Sequence, residues 1–205
     1  MEESESDLAG HPDRARWNAR YRTGSAPSFT AHPLAVAALA LDLPDGPVAD
    51  LACGPSGGVL LAAAQGRPVT AVDVSEVALG LLAQEARRRR LNHLITLVHA
   101  DLRVWRPEPG RYALMLATGF WDPAVFTAAV PGLAPGAVLG WEAFTTAARP
   151  ARPTLPAAWC LGPGEPATLL PDGVTVLSQE DIPVTGRGTR RRMLARRGQS
   201  RLTTA

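Results

Sequence analysis

From Pro44 onward the chain alternates short apolar runs with helical patterns, and this alternation restricts its fold more than any other feature. Val48-Ala49-Asp50-Leu51, 69–74, 95–99, 112–116 and 137–144 read as strands apolar enough to be covered on both faces. Between them lie helical stretches: one over 59–65, one behind a capping Ser75 with Ala78, Leu79, Leu82 and Ala86 toward the sheet, and one over 123–133. Strand and helix in alternation imply an α/β fold, a mostly parallel, doubly wound sheet with helices on both faces. The tail breaks the rhythm. Residues 174–179 and 190–195 read as strands with only Pro183 to Gly188 clearly between them, too short a link for a helix. They form a hairpin, which requires one antiparallel strand near the C-terminal edge.

A parallel sheet receives its ligand outside the carboxyl ends of its strands, where strand order reverses. The first strand here exits into Ala52-Cys53-Gly54-Pro55-Ser56-Gly57-Gly58, and glycine lets a backbone approach a ligand closely. Asp73 ends the second strand, roughly 20 residues on, the usual position of a carboxylate that grips a ribose diol. Asp101 follows the third strand. A dinucleotide site would need Gly-x-Gly-x-x-Gly, with helix N–H groups free to meet a pyrophosphate. This turn has an acid at Asp50, no such spacing, and a proline that removes an N–H. An acid beside the turn suits a ligand bearing an amino group and a sulfonium.

Composition narrows the partners. The chain has 205 residues, 46% hydrophobic, one domain's worth of core. It lacks the roughly 18 consecutive apolar residues of a membrane span. The acidic start, Met1 to Asp7, is unlike a secretory signal, and two cysteines do not make a disulfide framework, so the expectation is cytoplasmic, with no membrane partner. All 21 basic residues are Arg, which with abundant Ala, Pro and Gly reads as coding bias. A net charge of +2 and Arg runs at 87–90 and 190–192 without interleaved aromatics point away from nucleic acid, and the first run reads as the solvated end of a helix. No metal site is expected. Residues 1–12 and 198–205 read as disordered tails. Between them, 13–197 form a single domain that begins with a helical lid over 13–46, where Trp17 and Tyr21 share a helix face.

Taken in order and spacing, these segments resemble the class I S-adenosylmethionine-dependent methyltransferases, especially a small bacterial tellurite-resistance-type branch. Residues 48–57 are similar to that family's Val-Leu-Asp-Leu-Gly-Cys-Gly-x-Gly, and 71–75 to its Gly-x-Asp-x-Ser. Ala100-Asp101-Leu102 matches its adenine-side segment, and Trp17-Asn18-Ala19-Arg20-Tyr21 its Trp-(Asp/Asn)-x-Arg-Tyr lid element. Leu133-Ala134-Pro135-Gly136 is near Leu-Arg-Pro-Gly-Gly. The resemblance implies a Rossmann-like methyltransferase domain using S-adenosylmethionine and releasing S-adenosylhomocysteine. It implies Asp50, Ala52, Gly54 and Gly57 around the methionine part. Asp73 would hold the ribose, with Val74 against the adenine, Asp101 on the adenine amino group and Leu102 on the ring. Ala52, where the family has glycine, and Ser56 depart from the pattern.

Methyl transfer from a sulfonium is an in-line displacement, so the protein mainly aligns the acceptor and excludes water. A thiolate or other soft anion needs little help, whereas a hydroxyl or ammonium needs a base. The expected reaction moves a methyl group to S, Se, Te, O or N of a small molecule. Acceptor-side candidates are Trp17, Arg20, Tyr21, Phe120, Trp121 and Thr145, with plain packing as the alternative for each aromatic. Cys53 reads as a small buried hydrophobe, and His99 as a strand-end residue of either facing. Two competing classes are a non-catalytic S-adenosylmethionine-binding protein and a NAD-binding Rossmann oxidoreductase.

Overall fold

The computed structural model describes residues 8–199. Its strands are β1 (Val48–Leu51), β2 (Val69–Asp73), β3 (Ile95–His99), β4 (Tyr112–Thr118), β5 (Leu133–Phe144), β6 (Val174–Val184) and β7 (Gly188–Arg197). Its α-helices are α1 (Pro12–Thr23), α2 (Pro33–Leu39), α3 (Gly57–Ala64), α4 (Glu76–Arg88) and α5 (Pro123–Ala129). The strands form one sheet in the order β3-β2-β1-β4-β5-β7-β6. Strands β1 to β5 run parallel, and β7 lies antiparallel between β5 and β6. This is the Rossmann-like doubly wound sheet, with strand order reversing between β1 and β4.

Alternation along each strand divides the core into two layers. Leu114 and Leu116 face α2, α3 and α4, alongside Val48, Ala71 and Val138. Met115 and Ala117 face the opposite side, where Phe126 of α5 packs edge-on against Trp141 at 5.1 Å. Helix α4 is built as its sequence requires. Ser75 Oγ accepts from Ala78 N at 3.1 Å, and Ala78, Leu79, Leu82 and Ala86 are buried. Among the described residues no helix is long and apolar enough to cross a membrane.

Several elements differ from the sequence expectations. Helix α5 stops at Ala129, because Pro131 and Gly132 turn the chain into a 3-10 segment, and β5 begins early at Leu133 with a register shift opposite Tyr112 and Leu114. The hairpin is longer than the 174–179 and 190–195 runs, and Pro183 lies inside β6, which is tolerated on an edge strand. Of the expected tails, 1–7 and 200–205 lie outside the described residues. Leu8, by contrast, is buried at 4% exposure and His11 caps α1, because both are drawn onto the sheet's rim. The 190–192 run meets carboxylates on both sides of its strand. Alternate strand residues face opposite ways, so Arg190 and Arg192 reach the buried Glu142 while Arg191 pairs with Asp181.

Candidate functional site

The strand exits and helix α1 line a cavity of about 160 Å³. Asp73, Val74, Asp101 and Leu102 line it from β2 and β3, and Ala52 from the glycine turn. Trp17, Tyr21 and Phe120 line it from the lid and from the end of β4.

Of the three carboxylates that line the cavity, those of Asp13, Asp73 and Asp101, the last two are oriented by hydrogen bonds and retain accepting capacity. Asp73 Oδ2 accepts from Gly54 N at 2.7 Å, and Oδ1 accepts from Ser75 N at 2.8 Å. Asp101 Oδ1 accepts from Arg103 N at 2.9 Å. Its Oδ2 lies 3.1 Å from His11 Nε2, and because His11 Nδ1 accepts from Arg14 N, Nε2 carries the proton and donates. A carboxylate oxygen accepts two bonds, so both side chains keep lone pairs for a ligand. Burial raises the Asp73 pKa above the usual carboxylate range, against the pull of its backbone hydrogen bonds.

The glycine turn has a different internal logic. Gly54 adopts φ +57°, and a Cβ there would stand 2.7 Å from the Tyr21 hydroxyl, so α1 packs directly onto it. Gly57 faces away from the cavity. A Cβ there would stand 2.4 Å from the carbonyl carbon of Thr30, so this glycine admits the chain leading into α2. Asp50 is likewise set behind the turn. Its Oδ2 accepts from Ser56 Oγ at 2.6 Å, while its buried Oδ1 has no partner, and burial lifts its pKa to about 7. Ser56 caps α3 by accepting from Gly58 N and Val59 N. Ala52 holds the left-handed conformation at φ +49° that a glycine would adopt freely.

Helix α1 is docked by named contacts. The buried Asn18 Oδ1 accepts from Ser75 Oγ at 2.7 Å, and Arg14 grips Glu76 through two N–H···O bonds of 2.7 and 2.9 Å. Trp17 stacks on Tyr21 with ring centroids 6.0 Å apart. Burial, then the charge of Asp73, pushes the Tyr21 hydroxyl up to about 12, so it stays a neutral phenol.

The acceptor-side candidates divide. Trp17, Tyr21 and Phe120 line the main cavity, and Trp17 and Phe120 with Trp121 and Trp159 line a smaller one of about 50 Å³. Trp121 is otherwise a core residue, edge-on to Trp141. Arg20 lies outside both cavities with its guanidinium over Trp17, and Thr145 is buried with its Oγ1 donating to Thr189 O. Cys53 is buried, and burial raises its thiol pKa well above the ordinary value. His99 Nε2 lies 3.1 Å from Val74 O and so braces the cavity wall at Val74. Sequence reasoning passed over His11, Arg103 and Ser56. Ser56, directly ahead of an apolar helix, carried a readable capping signal; His11 meets Asp101 across 90 residues, which no local pattern shows.

Comparison with known proteins follows from this geometry. Residues 48–136, fewer than half of the chain, match the family model described as a methyltransferase domain. A search of curated proteins gave no match. Among solved structures, one reported for the conversion of a disulfide bond into a thioacetal group during echinomycin biosynthesis is similar at 21% identity and TM-score 0.69, covering 92% of this chain and 94% of that one. Geranyl diphosphate C-methyltransferase from Streptomyces coelicolor A3(2), in complex with Mg2+, geranyl diphosphate and S-adenosyl-L-homocysteine, is similar at 14% identity and TM-score 0.66, covering 92% and 88%. An S-adenosylmethionine-dependent methyltransferase from Mesorhizobium loti is similar at 18% identity and TM-score 0.64, covering 80% and 96%. The stretch from Val48 to Gly136 is similar to a methyltransferase domain, and the sheet that carries it has the Rossmann-like fold of these methyltransferase structures.

Proposed function

We propose that this enzyme transfers a methyl group from S-adenosylmethionine to a heteroatom of a small molecule, with sulfur, selenium or tellurium favoured over oxygen and nitrogen. The observation that carries the reading is the pair of oriented carboxylates, Asp73 and Asp101, lining one cavity together with Val74 and Leu102. That donor set fits an adenosine: acceptors for a diol at Asp73, an acceptor for an exocyclic amine at Asp101, and apolar flanks for a purine. It does not fit a pyrophosphate. The N–H groups at the start of α3 are spent on Ser56 Oγ, and the segment around Thr30 covers the helix end.

The bound cofactor supplies an electrophilic methyl group on a sulfonium. The chain's own residues do the rest. Asp73 and Asp101 fix the adenosine and thereby the direction of the sulfur–methyl bond. Trp17, Tyr21 and Phe120 exclude water and offer π faces to positive charge. Tyr21 stays protonated and His11 is engaged with Asp101, so neither is free to take a proton from the acceptor. An acceptor that is already a soft anion meets that limit, and the Trp17-Asn18-Ala19-Arg20-Tyr21 element supports kinship with the tellurite-resistance-type branch. Asp50, Ala52, Gly54 and Gly57 act by shaping the turn: Asp50 through Ser56, Gly57 by admitting the lid.

The test is transfer of labelled methyl from S-adenosylmethionine to a panel of thiols, selenols, tellurite, phenols and amines. Turnover on the first three classes alone supports the reading. Turnover only on amines or phenols refutes the acceptor preference, and S-adenosylhomocysteine binding without turnover on any class favours the non-catalytic alternative.

A further inference from the structure

We propose that the rim beyond β5 carries a subsite for an anionic group of the methyl acceptor, a carboxylate or a phosphate, formed by Arg152 and Arg190 around Phe144. This rests on the reading of that rim as the acceptor side of a methyltransferase site. The guanidinium carbons of Arg152 and Arg190 lie 4.6 and 4.5 Å from the Phe144 ring centroid, so the phenyl group holds both cations in place. The Nε of each is buried and has no hydrogen-bond partner. A buried donor left unpaired is costly, and two cations on one ring, each with such a donor, suit the oxygens of a carboxylate or phosphate.

The charge around the ring is unbalanced in the same sense. Glu142 is shared among His32, Arg190 and Arg192. Burial opposes its ionisation, yet hydrogen bonds from His32, Arg192 and Arg190 hold its pKa down at about 2, so its charge is already committed. Arg149 and Arg152 both act on the Cys160 thiol, and among the described residues neither has a carboxylate within salt-bridge distance. The location connects to the cavity. Phe144 lies two residues beyond Glu142, which pairs with Thr118 at the end of β4. Phe144 and Trp159 pack on one small cluster of Ala148, Leu155 and Cys160, and Trp159 lines the smaller cavity beside Trp17 and Phe120. Arg16 of the lid stacks on Trp159 at 4.2 Å, which joins lid, aromatic wall and arginine pair.

The experiment follows the arginine Nε–Hε signals by NMR at constant ionic strength while inorganic phosphate or acetate replaces chloride. Arg152→Lys and Arg190→Lys assign the two signals, and Phe144→Leu removes the ring face while keeping an apolar side chain. The proposal expects both signals to shift saturably in the millimolar range with phosphate, acetate or both. A response to phosphate alone marks a phosphorylated acceptor, and one to acetate alone a carboxylate. Both shifts should be much reduced in Phe144→Leu. Signals that stay still, or that drift without saturation like that of the exposed Arg187, overturn it. S-adenosylhomocysteine affinity is measured on the same samples and should change less than twofold in Arg152→Lys. Failure of the wild type to bind it counts against the proposed function alone, since the arginine signals are read separately.

Discussion

Replacing Asp50 by Asn tests the electrostatics of the glycine turn through the pH dependence of stability. Burial raises the Asp50 pKa from 3.8 to about 7 in the folded chain, only partly offset by the bond from Ser56. For a carboxylate raised in the folded state, the fold binds the proton more tightly than the unfolded chain does. Its stability is therefore undiminished below about pH 4, falls as pH rises through the window from 4 to 7, and stays reduced above it. At about 1.4 kcal/mol per pKa unit, a shift of roughly three units costs about 4 kcal/mol once complete. Linkage places roughly 2.5 kcal/mol of that between pH 5 and pH 8. Asparagine accepts from Ser56 as the carboxylate does and has no charge to lose. Urea unfolding at pH 5, 6, 7 and 8 should show Asp50→Asn gaining on the wild type by about 2–3 kcal/mol across the series. A difference that stays constant over these pH values refutes the buried, half-partnered carboxylate.

Two further substitutions probe the turn and the lid. Ala52→Gly relieves a left-handed alanine that costs about 1–2 kcal/mol, against roughly 0.5–1 kcal/mol of added chain entropy in the unfolded state. Thermal unfolding should show it neutral to about 1 kcal/mol more stable, and clear destabilisation counts against the strain argument. Asn18→Ala strips the acceptor from Ser75 Oγ and should cost about 1–3 kcal/mol. Its effect should concentrate in faster amide exchange over Pro12–Thr23. Unchanged exchange there would mean that Arg14 and His11 dock the lid without Asn18.

The parts legible in the sequence are those written in local periodicity. The runs at Val48–Leu51 and Ile95–His99 fix their strands to the residue, and Asp73 and Asp101 stand at the strand exits that the α/β alternation requires. The hairpin was readable because no helix fits between its strands. What was not legible depends on segments distant in the chain. Gly57 reads as a ligand-facing glycine until the backbone around Thr30 is laid across it. Asp50 reads as a ligand acid until Ser56 turns back onto it. Arg190 and Arg192 read as coding bias within a strand, and only the register of β7 against β5 brings them to Glu142. The local pattern supplies the elements, while the side chain each polar group meets follows from how the elements stack.

Calorimetric titration of S-adenosylhomocysteine and NAD into the wild type and Asp73→Ala tests the central claim most directly. The wild type should bind S-adenosylhomocysteine and not NAD. Losing the Asp73 carboxylate should weaken S-adenosylhomocysteine by about 1.5–3 kcal/mol, roughly 10- to 150-fold in Kd, while the variant stays folded. A wild type that binds NAD in preference, or a folded Asp73→Ala that keeps full affinity for S-adenosylhomocysteine, would contradict the account.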